Sequence, residues 1–425
     1  MKITRVFFLF LVFFTFLSSH TQAQATLQSQ INAVPEHGVL KIPGGIYQEA
    51  IVLSKSIAIE GTGQVTIRSC GQNPVITIQN QGVVLKHVKV EQCGTRKDLE
   101  AIYVTGENHR IEDIQIETKQ FGIKFDKASD IVVTNSSIQG NQNGNGIDLW
   151  KSSRNTIHNV KINGVRDGIY MERSDFNKLT QNAIQNSRYG IHVMFSNDIT
   201  VRNNVSRDNI TGAMVMETKG TTIEENEFIF NNRNVHAQGL LLYDAEETAV
   251  IHNYIAYNRV GIYVENTAGN RIFNNELRGN FIGMQFKNAN GNSVSHNTFL
   301  GNVNESQAID STRNNIIHNY WDTALKLDTG GKGTSSIPYR ADPFFLTLTR
   351  DVPEYQLFFQ SPGMVVLQKL LKSPEEQVFI DDAPAMKATG WDEKTGSSSS
   401  MPIFMLSASM LAISSILFII GRKRT

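Results

Sequence analysis

Apolar residues fall at every second position in short runs that glycine or asparagine closes, and this pattern repeats along most of the chain. Period-2 alternation predicts strands with one buried face, not amphipathic helices. A Gly-apolar-x-apolar-x motif recurs at Gly146, Gly168, Gly190, Gly212, Gly239, Gly261 and Gly283, spaced by 22 residues except for one interval of 27. An asparagine series runs in phase with it at Asn182, Asn204, Asn226, Asn253, Asn275, Asn297 and Asn319. Weaker copies reach back through Gly122 and Ala101 towards Gly45. A coil of this length is too short for a helical repeat, and a leucine-repeat consensus is absent. The expected fold is all-β, a right-handed parallel β-helix whose coils stack at about 4.8 Å and cover one another's apolar face. Asparagine tolerates left-handed backbone, so the series reads as a structural corner. Leu27, Ile31 and Val34 share one helical face ahead of Pro43-Gly44-Gly45, which predicts an amphipathic N-terminal cap over residues 26–45.

The ends carry a different pattern. Residues 1–25 place Lys2 and Arg5 before an apolar run that closes on Ala23-Gln24-Ala25, as an export signal does. Residues 402–420 are uncharged and precede Arg422, Lys423 and Arg424. As a helix they would cross a hydrocarbon layer about 30 Å thick, with the basic end inside. A flexible tether and a basic end are also the parts of a sorting tail that is later cut. The expected organisation is a signal at 1–25, the β-helix at 26–322, a C-terminal extension at 323–389, a linker at 390–401, a transmembrane helix at 402–420 and a cytoplasmic tail at 421–425. The solenoid then lies on the extracytoplasmic face of a membrane. With 40 basic and 40 acidic residues, the chain has no net field to attract nucleic acid. Its two cysteines, Cys70 and Cys93, stand about one coil apart, which suits a disulfide in an exported protein.

Alternation also sorts the strand after each glycine into inward and outward residues. The outward pairs are Lys124 and Asp126, Asp148 and Trp150, Tyr170 and Glu172, His192 and Met194, Met214 and Met216, Leu241 and Tyr243, Tyr263 and Glu265, then Gln285 and Lys287. Two constellations lie on this stripe. His192, Met194, Met214 and Met216 offer imidazole and thioether, soft ligands suited to Cu(I). Methionine usually fills gaps in a core, but here the alternation places it outside, where a hydrophobic docking patch is the competing reading. Asp126, Asp148 and Glu172, with Trp150 and Tyr170 beside them, form the second group. Paired carboxylates can work as acid and base on a glycosidic bond, although acidic residues on a strand face more often only solvate it. His158, His252, His296 and His318 lie at scattered coils and read as corner or surface residues.

Several segments together resemble the NosD family, extracytoplasmic β-helix proteins of nitrous oxide reductase maturation. They are Asp167-Gly-Ile-Tyr170, Arg188-Tyr-Gly-Ile-His-Val-Met-Phe-Ser-Asn-Asp198, Gly239-Leu-Leu-Leu-Tyr-Asp244, Asn319-Tyr-Trp-Asp322, Ile337-Pro-Tyr-Arg340 and Phe359-Gln-Ser-Pro362. The resemblance implies copper handling without catalysis, alongside an ABC transporter's permease and ATPase subunits, a copper chaperone and nitrous oxide reductase itself. It also implies a docking role for the extension, where Met364, Leu367, Leu370 and Leu371 form an amphipathic segment. The chain departs from the family in two places. The loop from Leu327 to Lys332 keeps one acidic residue, Asp328, where many relatives have several, and the C-terminal apolar segment is additional. The expected function is therefore a tethered, non-enzymatic copper accessory factor. A carbohydrate-active enzyme working at Asp126, Asp148 and Glu172, or a glycan- or partner-binding scaffold, are the alternatives.

Overall fold

A computed structural model describes residues 26–341 and 378–388, with residues 348, 354, 355, 361, 363, 366 and 367 from the stretch between. The expected signal, linker, apolar segment and basic tail lie outside the described residues, as do Met364, Leu370 and Leu371. Among the described residues no helix is long and apolar enough to cross a membrane.

The chain winds into an all-β right-handed parallel solenoid of about 13 turns. Each regular coil gives three strands, for example Lys178–Thr180, Ala183–Gln185 and Tyr189–Met194. The next coil repeats them in parallel as Thr200–Arg202, Val205–Arg207 and Thr211–Met216. From Asp167 onward the longest strand of each coil belongs to one 12-stranded sheet, and this sheet carries the outward stripe. Leu179, Ile184, Ile191 and Val193 point inward and are fully buried. Each such side chain contributes about 1.5–3 kcal/mol only because the coils above and below exclude water from it. The single interval of 27 residues is absorbed between the strands Glu227–Ile229 and Gln238–Tyr243, and Met216 still pairs with Tyr243. The stripe therefore crosses the insertion in register.

Close approach explains the glycine series. A Cβ on Gly168 would sit 2.4 Å from the Gly190 carbonyl oxygen, and one on Gly212 would sit 2.4 Å from that of Gly239. The asparagine series is a hydrogen-bonded ladder: the backbone N–H and side-chain amide of Asn226 both donate to Asn253 Oδ1 at 2.9 Å, and Asn253 repeats this to Asn275. Sequence reading found one such ladder. The structure has others at the remaining corners, one through Asn209, Asn231, Asn258, Asn280 and Asn302 and one through Asn270, Asn292 and Asn314.

The N-terminal cap is shorter than expected. Its helix covers only Leu27–Ala33, with Thr26 as N-cap and Leu27 and Ile31 buried. Pro43, Gly44 and Gly45 instead lie inside the first strand, Val39–Tyr47, where the pairing register shifts. A Cys70–Cys93 disulfide joins neighbouring coils, with Cα atoms 4.5 Å apart.

At the other end the chain returns on itself, and the strand Phe379–Asp381 pairs antiparallel with Tyr339–Ala341. Asp381, fully buried, accepts from the backbone N–H groups of His318 and Asn319 at 3.1 and 2.8 Å. It also accepts from the Asn319 amide at 3.2 Å and from Trp321 Nε1 at 3.1 Å. A carboxylate supplied some 60 residues downstream thus takes the place of the next asparagine and closes the ladder. Part of the expected extension is therefore a plug on the open end of the solenoid.

Candidate functional site

The register places the stripe in two columns. Tyr170, His192, Met214, Leu241 and Tyr263 follow one another in the first; Asp126, Trp150, Glu172, Met194, Met216 and Tyr243 follow in the second. His192 is therefore the direct strand partner of Met214, and Met194 that of Met216. All four residues fall within two adjacent coils, with backbones about 4.8 Å apart.

Their exposure differs from the expectation of an open surface. The three methionines are half-buried, and His192, although outward, is only 6% exposed. Tyr170 and Tyr189 cover it, their rings edge-on at 5.1 and 4.6 Å. His192 Nδ1 lies 3.0 Å from Asp167 Oδ2, and Arg188 holds the same carboxylate through two bonds of 2.9 and 2.7 Å. Burial pushes the Asp167 carboxyl up, but the bonds from His192 and Arg188 outweigh it and hold the group below its ordinary value. An ionised carboxylate can only accept, so Nδ1 carries a proton, and in the neutral tautomer of the ring Nε2 is the lone pair. Nε2 is buried and has no hydrogen-bond partner among the described residues. An imidazole fixed at Nδ1 by a carboxylate and open at Nε2 is the arrangement by which proteins present histidine to a metal.

Asp167, Arg188 and Tyr189 escaped the reading of the stripe. They stand just ahead of the glycines, where alternation does not say which way a side chain turns. The available signal was the 22-residue register, which pairs Asp167 with Tyr189 one coil apart.

The carboxylates of the second group are not brought together. Asp126 and Glu172 share a column but Trp150 stands between them, and Asp148 lies in the other column. Each has its own partner. The Tyr103 hydroxyl donates to Asp126 at 2.7 Å, the Asn145 amide to Asp148 at 2.7 Å, and the Tyr170 hydroxyl to Glu172 at 2.8 Å. Burial, with the Asp126 bond, pushes the Tyr103 phenol up to about 12. Burial likewise raises the Asp148 carboxyl to about 6, against the Asn145 bond and the nearby Lys124 and Arg166 charges. The Tyr170 hydroxyl also lies 3.7 Å from Met194 Sδ, so it links the two constellations.

Two other expectations change. His296 and His318 are not scattered: their rings lie 5.3 Å apart on adjacent coils, and with His252 they occupy the positive-φ position that precedes the ladder asparagine. Asp328 spends its carboxylate on the backbone N–H groups of Gly330, Lys332 and Gly333, fastening its own loop. Among the described residues no group of three or more His, Cys, Asp or Glu is placed to hold a metal, so a metal site here requires the thioethers. Of the expected docking residues only Leu367 is described, and it is exposed.

Comparison with known proteins gives the fold and a family likeness over part of the chain. Residues 55–206 match the right-handed beta helix region, and residues 135–329 match NosD, described as a periplasmic copper-binding protein. No curated protein matches the chain. Among solved structures, the A-module of the Azotobacter vinelandii mannuronan C-5 epimerase AlgE4 superposes with a TM-score of 0.52 at 13% identity, covering 66% of this chain and 91% of that one. A mutant of the periplasmic alginate epimerase AlgG gives 0.51 at 14% identity, covering 69% and 83%. The catalytic domain of a GH87 alpha-1,3-glucanase in complex with nigerose gives 0.50 at 15% identity, covering 70% and 65%. At such identities the likeness is one of fold alone. The matched span, residues 135–329, contains His192, the three methionines and the Asp167–Arg188 support, and over that span this parallel β-helix is similar to NosD.

Proposed function

We propose that this chain is an exported copper-binding accessory protein that takes up Cu(I) at His192, Met194, Met214 and Met216 and passes it on during assembly of a copper enzyme. The observation that carries the reading is the buried, unpartnered Nε2 of His192, held at Nδ1 by Asp167 in the coil beside two methionine-bearing positions. A lone pair removed from water with nothing to accept is costly unless a ligand completes it. Thioether neighbours favour a soft monovalent ion over Ca(II) or Mg(II). Copper is cargo here, and half-buried thioethers on an outer face beside the buried imidazole suit both capture and release. Following the family, the partners are an ABC transporter's permease and ATPase, a copper chaperone and nitrous oxide reductase. The C-terminal apolar segment would hold the solenoid at the outer membrane face, and the stretch containing Leu367 would meet the permease. X-ray absorption on the Cu(I)-loaded protein tests the ligand set. Mixed imidazole-nitrogen and sulfur scattering supports it; an all-nitrogen and oxygen shell, or a spectrum unchanged in His192→Ala, refutes it.

One observation favours a second reading. Asp148, raised to about 6 by burial, would serve as an acid on the face that also carries Trp150 and its own strand partner, Tyr170. Turnover of an acidic or neutral polysaccharide by the wild type, lost in Asp148→Asn, would support it over copper handling.

A further inference from the structure

The entrance to His192 is closed. Its Nε2 is buried beyond the reach of water, so no ion arrives there unless a neighbouring side chain moves. Two rings stand edge-on against the imidazole, Tyr170 at 5.1 Å and Tyr189 at 4.6 Å.

The two rings are held differently. Tyr170 lies inside the strand Asp167–Glu172, and its hydroxyl donates to Glu172 at 2.8 Å and lies 3.7 Å from Met194 Sδ. Burial and the Glu172 bond push its phenol up, so it keeps its proton and with it the bond. Tyr189 is the first residue of the strand Tyr189–Met194, and its strand partners are the shorter residues Asp167 and Thr211. Tyr189 is half-buried, and its ring lies under the Arg188 guanidinium at 4.5 Å. The Arg188 side chain is 45% exposed. A cation–π contact in water is a weak hold, and a side chain partly in solvent changes rotamer readily.

One carboxylate ties these parts together. Asp167 lies 3.0 Å from His192 Nδ1, and it fastens Arg188 through bonds of 2.9 and 2.7 Å. The orientation of the imidazole and the position of its cover therefore have a common anchor. We propose that the Tyr189 ring is a gate over His192, with Arg188 as its catch, and that it swings out to admit or release the ion while Tyr170 stays in place. The gate's purpose rests on the copper reading, whereas its opening is a property of the metal-free chain.

Diethyl pyrocarbonate, which acylates an unprotonated imidazole nitrogen that solvent reaches, tests the gate on the full metal-free chain in neutral detergent micelles. Modified histidines are read by peptide mass spectrometry. A nitrogen uncovered only part of the time reacts slower by that fraction, so wild-type His192 should react at least about ten-fold slower than the exposed His236. Tyr189→Ala should speed His192 about ten-fold or more, and Tyr189→Phe, which keeps the ring, should not. His109 is fully buried, its Nδ1 accepting from the Val83 N–H at 3.1 Å. It should stay unreactive in every variant, which separates opening of the gate from unfolding. In a second arm, anaerobic stopped-flow exchange of Cu(I) with a chelator should be faster in both directions in Tyr189→Ala, with affinity nearly unchanged. Wild-type His192 as reactive as His236, or a Tyr189→Ala rate equal to wild type, overturns the gate. Faster modification of His192 in Tyr189→Ala, in a protein that binds no Cu(I), would support the gate and refute the copper reading.

Discussion

If Asp381 serves as the last rung of the asparagine ladder, its carboxylate holds the open end of the solenoid shut, and alanine there should unzip the final coils. Alanine removes the acceptor for the Asn319 N–H, the Trp321 indole N–H and the His318 N–H together. Two of these donors are fully buried groups, and leaving a buried donor unsatisfied costs about 1–3 kcal/mol each. The sum is roughly 4 kcal/mol, local to this end because each coil contacts only its neighbours. Asparagine keeps one acceptor oxygen for Asn319 and Trp321 and forfeits the bond to His318, so Asp381→Asn should cost only about 1–2 kcal/mol. Native-state hydrogen exchange reads such local opening directly, at a factor of ten for about 1.4 kcal/mol. Asp381→Ala should therefore speed exchange about 1,000-fold at the strands Thr298–Leu300 and Asn315–Ile317, and leave the coils before Gly239 unchanged. Rates for alanine close to wild type, or equal for alanine and asparagine, would refute the ladder reasoning.

Asp148, raised to about 6 by burial, keeps its proton when folded while the unfolded chain gives it up near pH 4. The fold is thus penalised as pH rises from about 4 through 6, so Asp148→Asn should stabilise by about 3 kcal/mol above pH 7 and by nothing below pH 4 in urea unfolding across pH. Asp167→Asn should weaken Cu(I) affinity about 10- to 100-fold by freeing the His192 ring, measured by chelator competition, with the circular dichroism spectrum unchanged. Gly261→Ala would press a Cβ to 2.4 Å from the Gly283 carbonyl, and should lower stability by about 2–3 kcal/mol in urea without altering copper affinity.

The stripe was legible because two independent periods fix it: alternation decides the face and the 22-residue repeat decides the neighbour. Together they place His192 beside Met214 and Met194 beside Met216, and the structure has those pairs. Burial was not legible, since it depends on where the large rings of Tyr170 and Tyr189 lean. Asparagines are so frequent that one series was followed and those at the other corners, such as Asn231 and Asn258, went unread. His296 and His318 are a full period apart and so could have been read as stacked. The Asp381 plug is invisible to any repeat, because it comes from a segment that does not share the period.

The proposed function turns on whether His192 and the three methionines hold copper. Anaerobic Cu(I) titration against a competing chelator, on wild type beside the variant with His192→Ala and Leu at Met194, Met214 and Met216, tests it most directly. The expected result is about one tightly held Cu(I) per wild-type chain and none in the variant. Equal binding by both proteins, or none by the wild type, would contradict it.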